Sequence, residues 1–119
     1  MISFWADHAR SDTPLFLSAI TIGELRRGVH LIRHRGDHQQ AGVLEAWLTQ
    51  VLQDYRDRVL ALDGEAAQLR GRLRVPHPAN ALEKQIAAIV LLHDLTLVTR
   101  NTADFAGTGV RLLIPFSVA

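Results

Sequence analysis

The chain contains no cysteine. Disulfides, zinc–thiolate centres and a thiol nucleophile are therefore excluded, and the absence is compatible with a reducing cytosol. Long apolar runs are missing too. The longest, Ile86 to Leu92, falls well short of the roughly 20 residues that span a bilayer. The opening stretch MISFWADHARSD lacks the basic start and apolar body of a secretory signal. The expectation is a cytoplasmic protein without membrane association. Neither sign of charge dominates: 13 Lys and Arg face 12 Asp and Glu, for a formal net charge of +1. The chain as a whole is not a polyanion magnet. There is no P-loop and no GxGxxG, and Ser18 lacks the GxSxG setting of a hydrolase nucleophile.

What is present suits one packed domain. The 119 residues are 48% hydrophobic and 21% charged, which supports a core and argues against wholesale disorder. Ile2, Trp5 and Ala9 fall at helical spacing, and Leu15 to Leu17 reads as a buried strand. A helix is expected from about Thr21, its stripe formed by Ile22, Leu25, Val29 and Ile32 and its end set by Gly36 and Asp37. A second helix runs from about His38 to Asp57, with Val43, Trp47, Val51 and Tyr55 recurring beside Leu44, Leu48 and Leu52. Strand RVLAL (58–62) follows, then Asp63 caps the helix EAAQLRGRLR. After the Pro76–Pro78 loop, Asn80 opens the most apolar helix, which ends near His93. LTLVT (95–99), a turn at 101–105 and VRLLI (110–114) complete the chain. Strands alternating with helices point to an α/β sandwich with a parallel sheet.

In such sheets ligands sit at the carboxyl ends of the strands. Glu24 follows the first strand, Glu83 opens the apolar helix, and Asn101 and Asp104 follow LTLVT. Carboxylates gathered at one sheet edge suit Mg²⁺ or Mn²⁺, which prefer oxygen ligands. The same residues have a plainer reading. Thr21-x-x-Glu24 resembles a capping box, Asn80-x-x-Glu83 a looser one, and Asn101 and Asp104 suit a turn. His30, His34 and His38 have a zinc-like spacing, but Gly36 interrupts their helix and Arg33 and Arg35 would repel a cation. Arg26, Arg27, Arg33 and Arg35, and later Arg70, Arg72 and Arg74, form local basic patches. They are solvated helix faces or phosphate contacts, and the first cluster leaves a DNA-binding helical module as a third reading.

Two blocks carry a resemblance. LFLSAITIGELRRGV and IAAIVLLHDLTLVTRNTADFAGTGVRLL look like the second strand with its helix, and the C-terminal signature, of PIN-domain toxins of the VapC/FitB type. With the weaker middle, the likeness covers about residues 5 to 116. It implies a PIN-like three-layer α/β/α sandwich with a parallel sheet, as one domain over 1–119. It also implies a Mg²⁺- or Mn²⁺-dependent endoribonuclease, the toxin of a type II toxin–antitoxin module. The implied partners are an RNA substrate, a cognate antitoxin and a second copy in a homodimer. Carried over by position, Glu24 is the EL-motif acid, Glu83 stands where an Asp before IAA is expected, and Asn101 and Asp104 match the last block. Glu24, Glu83 and Asp104 are thereby the implied metal ligands. Two departures stand out. The LDTN-like first strand, with its Asp, has no counterpart, so the domain reads as N-terminally truncated with its central strand missing. Glu83 is also one methylene longer than the expected Asp. The alternative is an inactive remnant that still binds an antitoxin or dimerises.

Overall fold

The structure, a computed structural model, describes residues 14–115. The helix expected over 2–9 lies outside the described residues. Within them the elements alternate as the sequence pattern requires. β1 (Leu17–Ser18) leads directly into α1 (Ala19–His34), followed by α2 (His38–Asp54), β2 (Val59–Leu60) and α3 (Gly64–Leu73). Then come α4 (Ala81–Leu92), β3 (Thr96–Val98), a 3₁₀ turn (Thr102–Phe105) and β4 (Arg111–Leu113). No helix among the described residues is long and apolar enough to cross a membrane.

Local chemistry accounts for the boundaries. Gly36, at φ +93, ends α1, because a left-handed residue after the last turn costs glycine little. The Asp37 N–H then donates to the Ile32 carbonyl at 3.2 Å and the Gly36 N–H to that of Arg33 at 3.0 Å, closing the helix end in a Schellman pattern. Asp37 next caps α2, its carboxylate accepting the Gln40 N–H at 3.1 Å. Asp63 caps α3 in the same way, accepting from Ala66 at 2.9 Å.

The helices pack as two pairs, α1 on α2 and α3 on α4, joined where α1 also meets α4. The α1–α2 seam uses Val29 on one side and Ala41, Leu48 and Val51 on the other. Val43 and Trp47, on the second stripe of α2, stay exposed, because one packed neighbour covers only one face of a helix. Glu45 clamps the pair. Arg33 Nη2 donates to one of its oxygens at 2.6 Å and Arg26 Nη1 to the other at 3.0 Å.

The core centres on α4. Ile86, Ala87, Ala88, Ile89 and Val90 are all buried, and Leu97 and Phe105 join Ile86, Ala87 and Val90 in one cluster. Ile20, Leu73, Leu95, Val110 and Leu112 pack around it. Lys84, on the same helix, is buried as well, its ammonium donating to the His77 carbonyl.

The sheet corrects an expectation. The strands pair in parallel, β1 with β2 and β3 with β4, but they form two separate two-stranded sheets rather than one. Between them lies a groove of about 490 Å³, lined by residues of both β1 and β3. The strands are also shorter than the five-residue runs read from sequence. The reason is the same: with no ladder joining β1 to β3 among the described residues, each strand is held on one side only.

Two outcomes follow. Phe105 is 2% exposed, so Phe105→Ala should destabilise the protein by roughly 3–5 kcal/mol, measured by urea denaturation. Hydrogen bonding from Arg33, and then the charge of Arg33, holds the Glu45 carboxyl below its ordinary value of 4.5, with burial opposing and Arg26 assisting. A lowered folded-state pKa contributes stability that is present above 4.5 and lost as pH falls through the folded-state value. Glu45→Gln should therefore lower Tm slightly at neutral pH, and the gap to the parent should close progressively in acid. The effect should be modest and salt-sensitive, because the pair is more than a third exposed.

Candidate functional site

The four candidate residues occupy three neighbouring elements. Glu24 lies in the second turn of α1, Glu83 in the first turn of α4, and Asn101 and Asp104 begin and continue the 3₁₀ turn after β3. All four are half-buried. Both α1 and the 3₁₀ turn pack against α4, so α4 is the common support of the set.

The plainer readings of the two glutamates do not hold. Helix α1 starts earlier than expected, and its cap is Ser18, whose hydroxyl accepts the Thr21 N–H at 3.2 Å. Thr21 is therefore inside the helix, and Glu24 is a full turn too far along to cap it. Asn80 precedes α4 in a left-handed conformation (φ 57, ψ 47) with no side-chain cap bond. A capping residue needs extended backbone to aim its side chain at the helix, so the looser box is also absent. Asn101 makes no capping bond with its side chain either. Its place is set through the backbone: its N–H donates to Thr99 Oγ1 at 3.1 Å, and its carbonyl accepts the Asp104 N–H at 3.2 Å.

Two supporting residues escaped the sequence reading. Thr99, fully buried, holds the Asn101 backbone; the signal was a hydroxyl two residues before an asparagine, the spacing of a local turn. Lys84 ties the start of α4 to the Pro76–Pro78 loop through His77. Its signal was a lone cation inside the run ALEKQIAAIVLL. His77 thus has a structural part, and His93 stands at the C-cap of α4.

The donor chemistry of Glu24, Glu83 and Asp104 is right for a hard cation. Their arrangement does not fit one: among the described residues no three His, Cys, Asp or Glu side chains come together to hold a metal ion. The same statement covers His30, His34 and His38.

These features define an α/β protein with paired parallel strands and an acid-bearing face carried by α1, α4 and the turn after β3. Comparison with known proteins narrows the class. The chain is 30% identical over 117 residues to plasmid stability protein StbB of Pseudomonas syringae pv. tomato, covering 94% of this chain and 82% of that protein. It is 32% identical over 108 residues to toxin FitB of Neisseria gonorrhoeae, covering 86% and 76%. In three dimensions it matches the crystal structure of FitAcB from Neisseria gonorrhoeae with a TM-score of 0.75 at 31% identity, over 87% of this chain and 76% of that one. The structure of FitAB bound to an IR36 DNA fragment matches at 0.74 and 28%, over 87% and 75%. No family model matches the sequence. The chain belongs to the VapC/FitB-like toxin family.

Removing the Ser18 hydroxyl should cost about 1 kcal/mol, as loss of an N-cap does, whereas Glu24→Gln should change stability by less than about 0.5 kcal/mol, as expected of a side chain without a structural bond. Chemical denaturation of Ser18→Ala and Glu24→Gln side by side checks both. An equal loss in the two variants would restore the capping role to Glu24.

Proposed function

We propose that the chain is the toxin of a type II toxin–antitoxin module, with RNA as the substrate of its acid-bearing face and a small cognate antitoxin as its inhibitor. The supporting observation is a likeness to toxin FitB and to FitAB structures that runs through both halves of the chain. It includes the elements that carry Glu24, Glu83, Asn101 and Asp104. In this reading Glu24, Glu83 and Asp104 belong to an endoribonuclease centre of the PIN type, with Asn101 beside them, and the two strand pairs belong to a three-layer sandwich. Mg²⁺ or Mn²⁺ is the implied cofactor, which would neutralise charge on a phosphate when bound. The acids of the described residues do not gather into a cation site by themselves, so no step is drawn through the ion. Homodimerisation, through apolar helix surface such as that around Val43 and Trp47, completes the proposal, as does a cytoplasmic setting.

The missing three-acid cluster favours a second reading: a toxin-fold protein that binds its antitoxin without cutting RNA. One assay separates them. Under the first reading, purified protein at millimolar Mg²⁺ or Mn²⁺ cleaves RNA, and Glu24→Gln lowers the rate by about 10²-fold or more, the scale of losing a group needed in the transition state. Absence of cleavage, or cleavage indifferent to Glu24→Gln, sinks that reading. Binding of the antitoxin encoded beside the gene would then support the second.

A further inference from the structure

The groove between the two sheets has the chemistry of a strand seat. In the β1–β2 pair, Leu17 turns its N–H to the Arg58 carbonyl at 2.9 Å. Backbone groups alternate sides along a strand, so those of Phe16 and Ser18 face away from β2, toward the groove. In the β3–β4 pair, the Thr99 N–H donates to the Leu113 carbonyl at 3.1 Å, and Leu97 stands opposite Leu112. The same alternation turns the backbone of Thr96 and Val98 away from β4. All four of these residues line the one groove. Two sheet edges therefore look into it from different strands, and each is a template for further pairing.

The lining narrows the occupant. Ile89 and Val90 of α4 contribute apolar surface, and the only charged lining residues are Asp94 and Arg111. Those two are paired with each other at 3.2 Å, leaving no net charge to attract an ion. A strand bonded on both edges against apolar surface reads as an uncharged, apolar run. The relatives carry chain that could supply one: the match covers 82% of StbB and 76% of FitB, so about a fifth to a quarter of each lies outside it.

We propose that this groove binds an extended, uncharged apolar peptide segment, inserted as a strand between β1 and β3 and equivalent to part of the relatives' chain outside the match. Insertion joins the two strand pairs into one sheet. The proposal concerns peptide binding and stands whether or not the protein cleaves RNA.

The test uses the full chain and synthetic peptides of about ten residues, the length of a long strand, tiling the part of toxin FitB outside the match. Fluorescence anisotropy should show one peptide binding saturably. Amide exchange at Phe16, Ser18, Thr96 and Val98 should slow at least about tenfold on binding. N-methylation of alternate amides in that peptide, which blocks the ladder without altering the protein, should weaken binding at least about tenfold. Four results overturn the proposal. They are no saturation below about 1 mM for any peptide, affinity indifferent to N-methylation, protection confined to other residues, or amides at these four positions already slow before peptide is added.

Discussion

The burial of α4 is the constraint on which the other elements depend. A helix that carries Ile86, Ala87, Ala88, Ile89 and Val90 in an unbroken row is apolar on every side, so it must be surrounded rather than laid on a surface. It is surrounded by α3, by the start of α1, by β3 and by the 3₁₀ turn. The small Ala87 and Ala88, both fully buried, let those neighbours come close. The polar start of the same helix is then delivered to a set place: Glu83 sits half-buried in the first turn, and Lys84 beside it is buried with its charge on the His77 carbonyl. A buried ammonium needs such a partner. The loop carrying His77 is thus pinned to the helix that carries the candidate acid.

The α1–α2 pair is organised differently. Its seam is one apolar stripe from each helix, with ion pairing at the rim, and only the beginning of α1 reaches the α4 core. The Glu45 clamp is more than a third exposed, so it sets which faces meet more than it adds stability. Because Glu24 lies early in α1, its position follows from the contact with α4 and from Ser18, which ties the first turn to the end of β1.

Much of this was legible in the residues, and the illegible parts have identifiable causes. The helices were readable because their apolar positions recur at 3.6 residues, and Gly36 and Asp63 act locally. Ser18 and Thr21 are both good caps; which one is used depends on where β1 stops, and β1 is two residues long because it is paired with β2 alone. Both apolar stripes of α2 look alike in sequence, yet only the one opposite Val29 has a partner; Val43 and Trp47 belong to the other. Asn80 was read as a cap from its residue type, but its left-handed backbone, open to Asn at modest cost, points the side chain elsewhere. The acids were findable through a resemblance carried by two long blocks. Whether they converge was not, because convergence depends on how distant elements are placed.

That placement has a mechanical consequence. Within one continuous sheet, strand ends are held in register by ladders of hydrogen bonds, and side chains at the carboxyl edge inherit that register. Here Ser18 and α1 hang from one pair of strands, and Asn101 and Asp104 from the other. The route between them runs through side-chain packing on α4. Packing constrains direction less sharply than a hydrogen-bonded ladder does, and metal-binding geometry tolerates errors of only a fraction of an ångström. Three acids on three elements, with the sheet divided between the first and the last, is an arrangement in which the carriers are correctly ordered while their carboxylates stay apart. The division of the sheet and the absence of a three-acid cluster among the described residues are thus connected: the link that would align the two strand pairs is the same link that would bring Glu24 toward Asp104.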